Sequence, residues 1–140
     1  MATLNIEGVI DRIDSSVIAS ACAFRFGYPS AVNQDHSATY PLCILEPPTS
    51  VFTNAYDNKE QFTFRLYIYR PQDNDSLRVT YKKLQGLLKS IMQAIFLNYE
   101  DKMILNGEVR IERVNDVQND RLVGIIVDLP VNVFSNCLLY

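Results

Sequence analysis

Only one histidine, His36, is available for proton transfer near neutral pH or for an imidazole metal ligand. It lies in a polar stretch, seven residues before Cys43. A Cys-His nucleophilic pair built from the two would need a helix N-terminus or a cation to stabilise the thiolate, and a third group to orient the base. Neither is indicated beside Cys43. The three cysteines, Cys22, Cys43 and Cys137, show no CxxC spacing of the kind that zinc sites use. Odd in number and far apart in the chain, they read as reduced thiols packed as small apolar side chains. Two carboxylate pairs, Glu100-Asp101 and Asp116 with Asp120, could take a divalent cation. Helix ends and turns favour acidic residues anyway, so solvated positions are the expectation. The five glycines, Gly8, Gly27, Gly86, Gly107 and Gly124, are scattered, whereas a phosphate cradle needs them closely spaced before a helix. The reading is of a non-catalytic chain with no cofactor and no metal.

Composition narrows the class. A chain of 140 residues is the size of one domain, 1–140, able to bury about two thirds of its unfolded surface. Its 48% hydrophobic and 21% charged content is that of a globular protein and too apolar for a disordered one. Thirteen Lys and Arg against sixteen Asp and Glu leave a net charge of -3, opposite to the usual nucleic-acid binder. Residues 1–9 lack a basic flank before an apolar run, and no segment reaches the roughly 18 apolar residues that span a bilayer. The expectation is therefore neither export by a standard signal nor insertion in a membrane.

The elements that would position any surface chemistry follow from hydrophobic period. Ile6, Ile10, Ile13, Val17, Ala21 and Phe24 recur at steps of three and four, which predicts a helix over residues 2–24 with Glu7, Asp11, Arg12 and Asp14 largely on its wet side. Gly8 and the β-branched residues weaken it, and Gly27 with Pro29 should end it. Residues 25–39 have no period and read as a long loop, a candidate contact surface. Residues 40–46 form a predicted strand ended by Pro47-Pro48. A further strand over 50–55 leads to a turn at Asp57-Asn58. In 61–70 the alternation is clean: Phe62, Phe64, Leu66 and Ile68 share one face, and Gln61, Thr63, Arg65, Tyr67 and Tyr69 the other. That second face is either simply solvated or a protein contact, since Tyr and Arg join large contact area to polar tips.

Asp73, Asn74 or Asp75 can cap a second helix. Over 77–96 the stripe Leu77, Tyr81, Leu84, Leu88, Ile91 and Ile95 is sustained, with Arg78, Lys82, Lys83, Gln85, Lys89 and Gln93 off it. Those basic residues read as a solvated face rather than a nucleic-acid patch. Gly86 costs such a helix roughly 1 kcal/mol relative to alanine, a cost that a close approach by the sheet or a neighbouring chain would explain. Residues 108–113 alternate as a strand, 115–120 make a hairpin connection, and 121–129 return as a near-continuous apolar run suited to a strand covered on both faces. Pro130 interrupts that run. The apolar end, Cys137, Leu138, Leu139 and Tyr140, is expected to dock on its own domain or on a partner. The predicted class is α+β, a mixed and mainly antiparallel sheet flanked by two helices in the order α-β-β-β-α-β-β.

In that order of elements the chain resembles the tail terminator proteins of long-tailed bacteriophages, also called tail completion or tail-to-head joining proteins. The points of likeness are the N-terminal amphipathic helix, the segment Tyr40-Pro41-Leu42-Cys43-Ile44-Leu45-Glu46-Pro47-Pro48, the strand over 61–70 running into the basic-faced helix over 77–96, and the closing hairpin over 108–129. The likeness is one of pattern over nearly the whole chain, in a family without an invariant catalytic motif. It implies a virion component assembled in the host cytoplasm, six copies closing into a ring on the last disc of the tail tube. Such a ring stops tube growth and offers a docking surface to the head connector. Its partners are then other copies of itself, the tail tube protein and the head-tail connector protein. No membrane and no sequence-specific nucleic acid is implied, although DNA passes through the ring.

Exposed chemistry, rather than the resemblance, suggests where such contacts fall. Arg65, Tyr67 and Tyr69 are expected at a subunit contact. Phe26, Tyr28, Asn33, Gln34, Asp35 and His36 of the long loop, with Asp57 and Asn58, are expected to meet tube or connector. A head-tail connector or tail tube subunit is the nearest alternative, and a small ligand-binding or regulatory α/β domain with a pocket between sheet and helices is the alternative from another class.

Overall fold

The computed structural model describes residues 6–28, 39–54, 59–72, 76–97, 103–105, 108–117 and 122–134. The class is α+β, with two helices and a mixed, mainly antiparallel sheet. In chain order the elements are α1 (Ile6–Ala19), β1 (Ala23–Phe26), β2 (Leu42–Leu45), β3 (Ser50–Asn54), β4 (Lys59–Pro71), α2 (Leu77–Leu97), β5 (Met103–Leu105), β6 (Arg110–Val117) and β7 (Leu122–Phe134). These seven strands fill five positions across the sheet. β4 and β7 lie at the centre, β2 and β3 share the outer edge of β4, β5 and β6 share the outer edge of β7, and β1 adds to β2 in the only parallel pairing among the described strands. The strands expected over 40–46, 50–55, 61–70, 108–113 and 121–129 correspond to β2, β3, β4, β6 and β7. The short strands β1 and β5 are additional.

Helix α1 stops earlier than its period suggests. Ala21 takes a left-handed conformation (φ 58°), the Cys22 amide donates to the Val17 carbonyl (3.3 Å), and the Ala21 amide donates to that of Ile18 (3.0 Å). This pair of bonds is a Schellman cap, with alanine where glycine is usual. The chain is thereby turned into β1, so Phe24, expected on the helix, packs from a strand instead. Gly27, expected to end the helix, ends β1, where its amide reaches the Leu45 carbonyl at 2.9 Å. The cap of α2 also differs from expectation. Ser76 provides it, its Oγ accepting from the Val79 amide at 3.2 Å, while 73–75 lie outside the described residues.

Both helices lie on the same face of the sheet. Val9, Ile13 and Val17 of α1 and Leu84, Leu88, Ile91 and Ile95 of α2 meet Phe62, Phe64, Leu66 and Ile68 of β4, and alternate residues of β7 from Val123 to Val133, in one buried cluster. The predicted inward faces of β4 and α2 are therefore the observed ones. Pro130 does not interrupt β7, which pairs with β4 through thirteen consecutive positions. Thr49 and Glu46 donate to the carbonyls of Thr63 and Arg65, so odd-numbered residues of β4 direct their backbone polar groups away from β7. Pro130 sits opposite Thr63, and its nitrogen thus faces the change of register between β5 and β6, where no ladder bond is lost. The hairpin connection expected over 115–120 is shorter, because β6 runs on to Val117 through a register shift after Val114.

Nothing approaches Gly86 within 4 Å of an added Cβ, so close approach by the sheet does not account for it. Gly86→Ala should raise stability by up to about 1 kcal/mol through helix propensity, and Ala21→Gly by a similar amount through release of left-handed strain. Urea titration of the two variants checks both; a loss of stability in either would contradict the corresponding account.

Candidate functional site

The sheet face opposite the helices divides into two regions. At one end, row after row of the sheet is set by register: Leu42, Tyr69, Gly124 and Val114 stand side by side, followed by Ile44, Tyr67, Ile126 and Glu112. Leu42, Ile44, Tyr69 and Leu122 form a small second core. Tyr69 can occupy this place because its neighbour across the strand has no side chain. A Cβ on Gly124 would lie 2.4 Å from the Tyr69 ring. Tyr69 is consequently only 3% exposed. The expectation that it belongs to a wet contact surface with Arg65 and Tyr67 is corrected: alternation placed it on the right face, but the neighbouring strands bury it.

The next row is polar. Arg65 donates from Nε to Asp128 Oδ1 at 2.9 Å, directly across β4 and β7. Asp128 is in turn opposite Arg110 on β6, which pairs with Glu112 at 2.7 Å. On the other side of Arg65, the Tyr67 hydroxyl donates to Glu46 Oε1 at 2.8 Å. Glu46, Arg65, Asp128, Arg110 and Glu112 therefore alternate in sign across four strand positions. Asp128 holds the Arg65 guanidinium firmly protonated. Partial burial, followed by the bond to Glu46, raises the Tyr67 phenol above its ordinary range, and burial does the same for Tyr69, whose ring stacks on that of Tyr67 with centroids 6.1 Å apart.

This ladder is exposed: the Arg65 side chain keeps 44% of its accessible surface. Exposed pairs of this kind contribute about 0–1 kcal/mol to stability, so the ladder does little to hold the monomer together. It presents oriented donors and acceptors at that face. Arg65 and Tyr67 were marked by alternation alone. Glu46, Asp128 and Arg110 were not, since only the register of β2, β7 and β6 brings them to the same row; the one local signal was Asp128 breaking an apolar run.

Of the residues expected to meet tube or connector, Phe26 at the end of β1 is 49% exposed and Tyr28 is 61% exposed. Asn33, Gln34, Asp35, His36, Asp57 and Asn58 lie outside the described residues, as do Cys137, Glu100, Asp101 and Asp120. Cys22 and Cys43, distant in sequence, enter the same core cluster through the parallel pairing of β1 with β2, and both are free. Burial pushes the Cys22 thiol up to about 11 and that of Cys43 well above its ordinary value. Neither is poised as a nucleophile at neutral pH.

A second feature lies at the β6 margin. Leu77, Arg78, Tyr81, Lys82, Gln85 and Arg113 line an open groove of about 480 Å³ between α2 and β6. The Arg113 guanidinium carbon is 5.0 Å from the centroid of the Tyr81 ring, a cation-π arrangement. No helix is long and apolar enough to cross a membrane among the described residues. Compared with protein-family models and with curated protein sequences, the chain matches none.

Gly124→Ala should destabilise the protein by about 1–3 kcal/mol by forcing the Tyr69 ring aside. Combining it with Tyr69→Ala should cost less than the sum of the two single changes, as thermal melts in a double-mutant cycle would show. The thiols predict an alkaline weakness. The folded state keeps the Cys22 proton to about pH 11, whereas the unfolded chain releases it near pH 9.0, so stability is full below pH 9 and falls as pH rises through that window. The slope is up to about 1.4 kcal/mol per pH unit per group, with Tyr69 and Cys43 acting in the same direction. Urea midpoints from pH 8 to pH 11 should drop, and Cys22→Ala should flatten part of the decline.

Proposed function

We propose that this chain is a structural, non-catalytic subunit of the phage tail terminator kind, which closes into a homo-oligomeric ring of about six copies, caps the tail tube and joins it to the head connector. The observation that carries this reading is the alternating-charge ladder on the sheet face that no helix covers among the described residues. Its geometry is defined across four strand positions, yet its contribution to the stability of a single copy is small. Polar groups held in register at an exposed face suit recognition of another protein, where complementary charge sets orientation and partner. The exposed aromatic pair Phe26 and Tyr28, at the other margin, suits a second contact with tube or connector, since Tyr and Phe are enriched at interface cores. Arg65 and Tyr67 remain the proposed subunit contact, joined by Glu46, Asp128 and Arg110, and Tyr69 supports them from beneath. In this reading the protein is part of the virion and is assembled in the host cytoplasm.

The alternative, a small ligand-binding domain with its pocket between sheet and helices, has less support. Among the described residues that interlayer space is filled by buried side chains, and the groove beside α2 lies at the margin, with three cations among its six lining residues.

Light scattering coupled to size exclusion should give a mass near six chains for the purified protein. Arg65→Glu with Tyr67→Ala should reduce it to monomer; the exposed Arg65 contributes little to stability, whereas loss of the half-buried Tyr67 ring from its packing on Tyr69 lowers the thermal midpoint, so circular dichroism checks that the variant is folded. A stable monomer in the wild type, or a ring indifferent to the double variant, would count against the ring or against this contact respectively.

A further inference from the structure

The groove beside α2 is a concentration of positive charge on an acidic protein. Among the described residues its lining holds three cations, Arg78, Lys82 and Arg113, and no carboxylate, while the chain as a whole carries a net charge of -3. Its floor is apolar, made by Leu77 and Tyr81. The complementary surface exists on the same molecule. Helix α1 turns Glu7 and Asp11 to solvent, with Asp14 at their edge, and Ile18, 62% exposed, extends the same stripe by one turn. Glu7 and Asp11 are four residues apart on α1, as Arg78 and Lys82 are on α2, so both pairs present their charges about 6 Å apart along a helix axis.

These two surfaces cannot satisfy each other within one copy. α1 packs between α2 and β1, toward one margin of the sheet, with Glu7 and Asp11 facing solvent, and the groove opens on the far side of α2 at β6, the other margin. Four strand spacings separate the margins, about 19 Å, roughly twice the screening length at physiological salt. A two-fold dimer would pair each patch with the other twice across its axis and stop there; head-to-tail association uses one pairing per neighbour and generates a ring where the rotation closes, as the ring reading requires.

We infer that the Arg78-Lys82-Arg113 groove of one copy receives the Glu7-Asp11-Asp14 face of α1 from the next copy. The inference rests on the ring reading and adds to it a second subunit contact, on the helix side of the sheet. A neighbour seated on the β6 margin covers the groove on one side of the sheet and Arg110, the end of the ladder, on the other. Ile18 and the apolar floor supply the dry part of the contact.

The test is a charge exchange with two variants, Arg78→Glu/Lys82→Glu and Glu7→Lys/Asp11→Lys, compared with the wild type by native mass spectrometry. The altered positions are exposed, and circular dichroism confirms that each variant folds. Each variant alone should lose the ring, with association at least tenfold weaker; an equimolar mixture, or a single chain carrying all four changes, should regain it. Loss without recovery on recombination overturns the pairing. Variants that assemble like the wild type overturn this contact and leave the ring reading intact. A wild type that stays monomeric at every concentration removes the ring reading, and the contact with it. If the groove variant keeps the ring but loses retention on a DNA column, the groove serves nucleic acid and the inference is wrong.

Discussion

Thirteen residues of β4 run against thirteen of β7 in a single register, from Lys59 opposite Phe134 to Pro71 opposite Leu122. Side chains alternate across a strand with a period of two, so a slip of one residue would reverse both faces. Such a slip would put Phe62, Phe64, Leu66 and Ile68 in water and Arg65 under the helices. The burial of those four side chains against α1 and α2 excludes that alternative by several kcal/mol, at roughly 1.5–3 kcal/mol per large apolar side chain. Everything placed on the opposite face inherits its position from this constraint. Arg65 meets Asp128, and Tyr69 meets Gly124, because the hydrophobic face allows no other pairing.

The sheet is built outward from that central pair in a repeated way. On the edge of β4, β2 and β3 follow one another with a change of register at Glu46 to Thr49; on the edge of β7, β5 and β6 do the same, with the change falling near Pro130. Proline fits both sites because no amide donor is needed there. The result leaves one face covered by two helices and the other without a helix among the described residues. On that second face a small aromatic core, centred on Tyr69, adjoins a row of alternating charges. The first region holds the sheet together, and the second is free to be used.

The separation of stability from surface function is a matter of magnitude. Tyr69 and the helix-facing residues are buried, and their removal leaves cavities that cost about 2–5 kcal/mol each. The ladder and the basic groove are exposed, and their charges interact through water and salt. Substitutions there therefore have little effect on the fold. Charge in such positions orients partners and sets association rates more than it adds affinity. An acidic helix at one margin and a basic groove at the other give the molecule a direction.

How much of this was legible beforehand depends on the range of the interaction. Periodicity alone identified α2, because one stripe repeated over five turns can only be the buried side of a helix, and it assigned the two faces of β4 correctly. It also recognised the α+β class and its order of elements. It misplaced the end of α1, because the two backbone hydrogen bonds of the cap at left-handed Ala21 overrode a helical pattern that continued to Phe24. It took Tyr69 for a surface residue, because burial there depends on a glycine 55 residues later in the chain. It could not assemble Glu46, Arg65, Asp128 and Arg110 into one row, nor Arg78, Lys82 and Arg113 into one groove. What the chain determines by itself is which side of each element avoids water, since that is encoded in neighbouring residues. Which polar groups become neighbours was decided only by the tertiary structure, because strand register and helix docking are set by the whole buried surface at once.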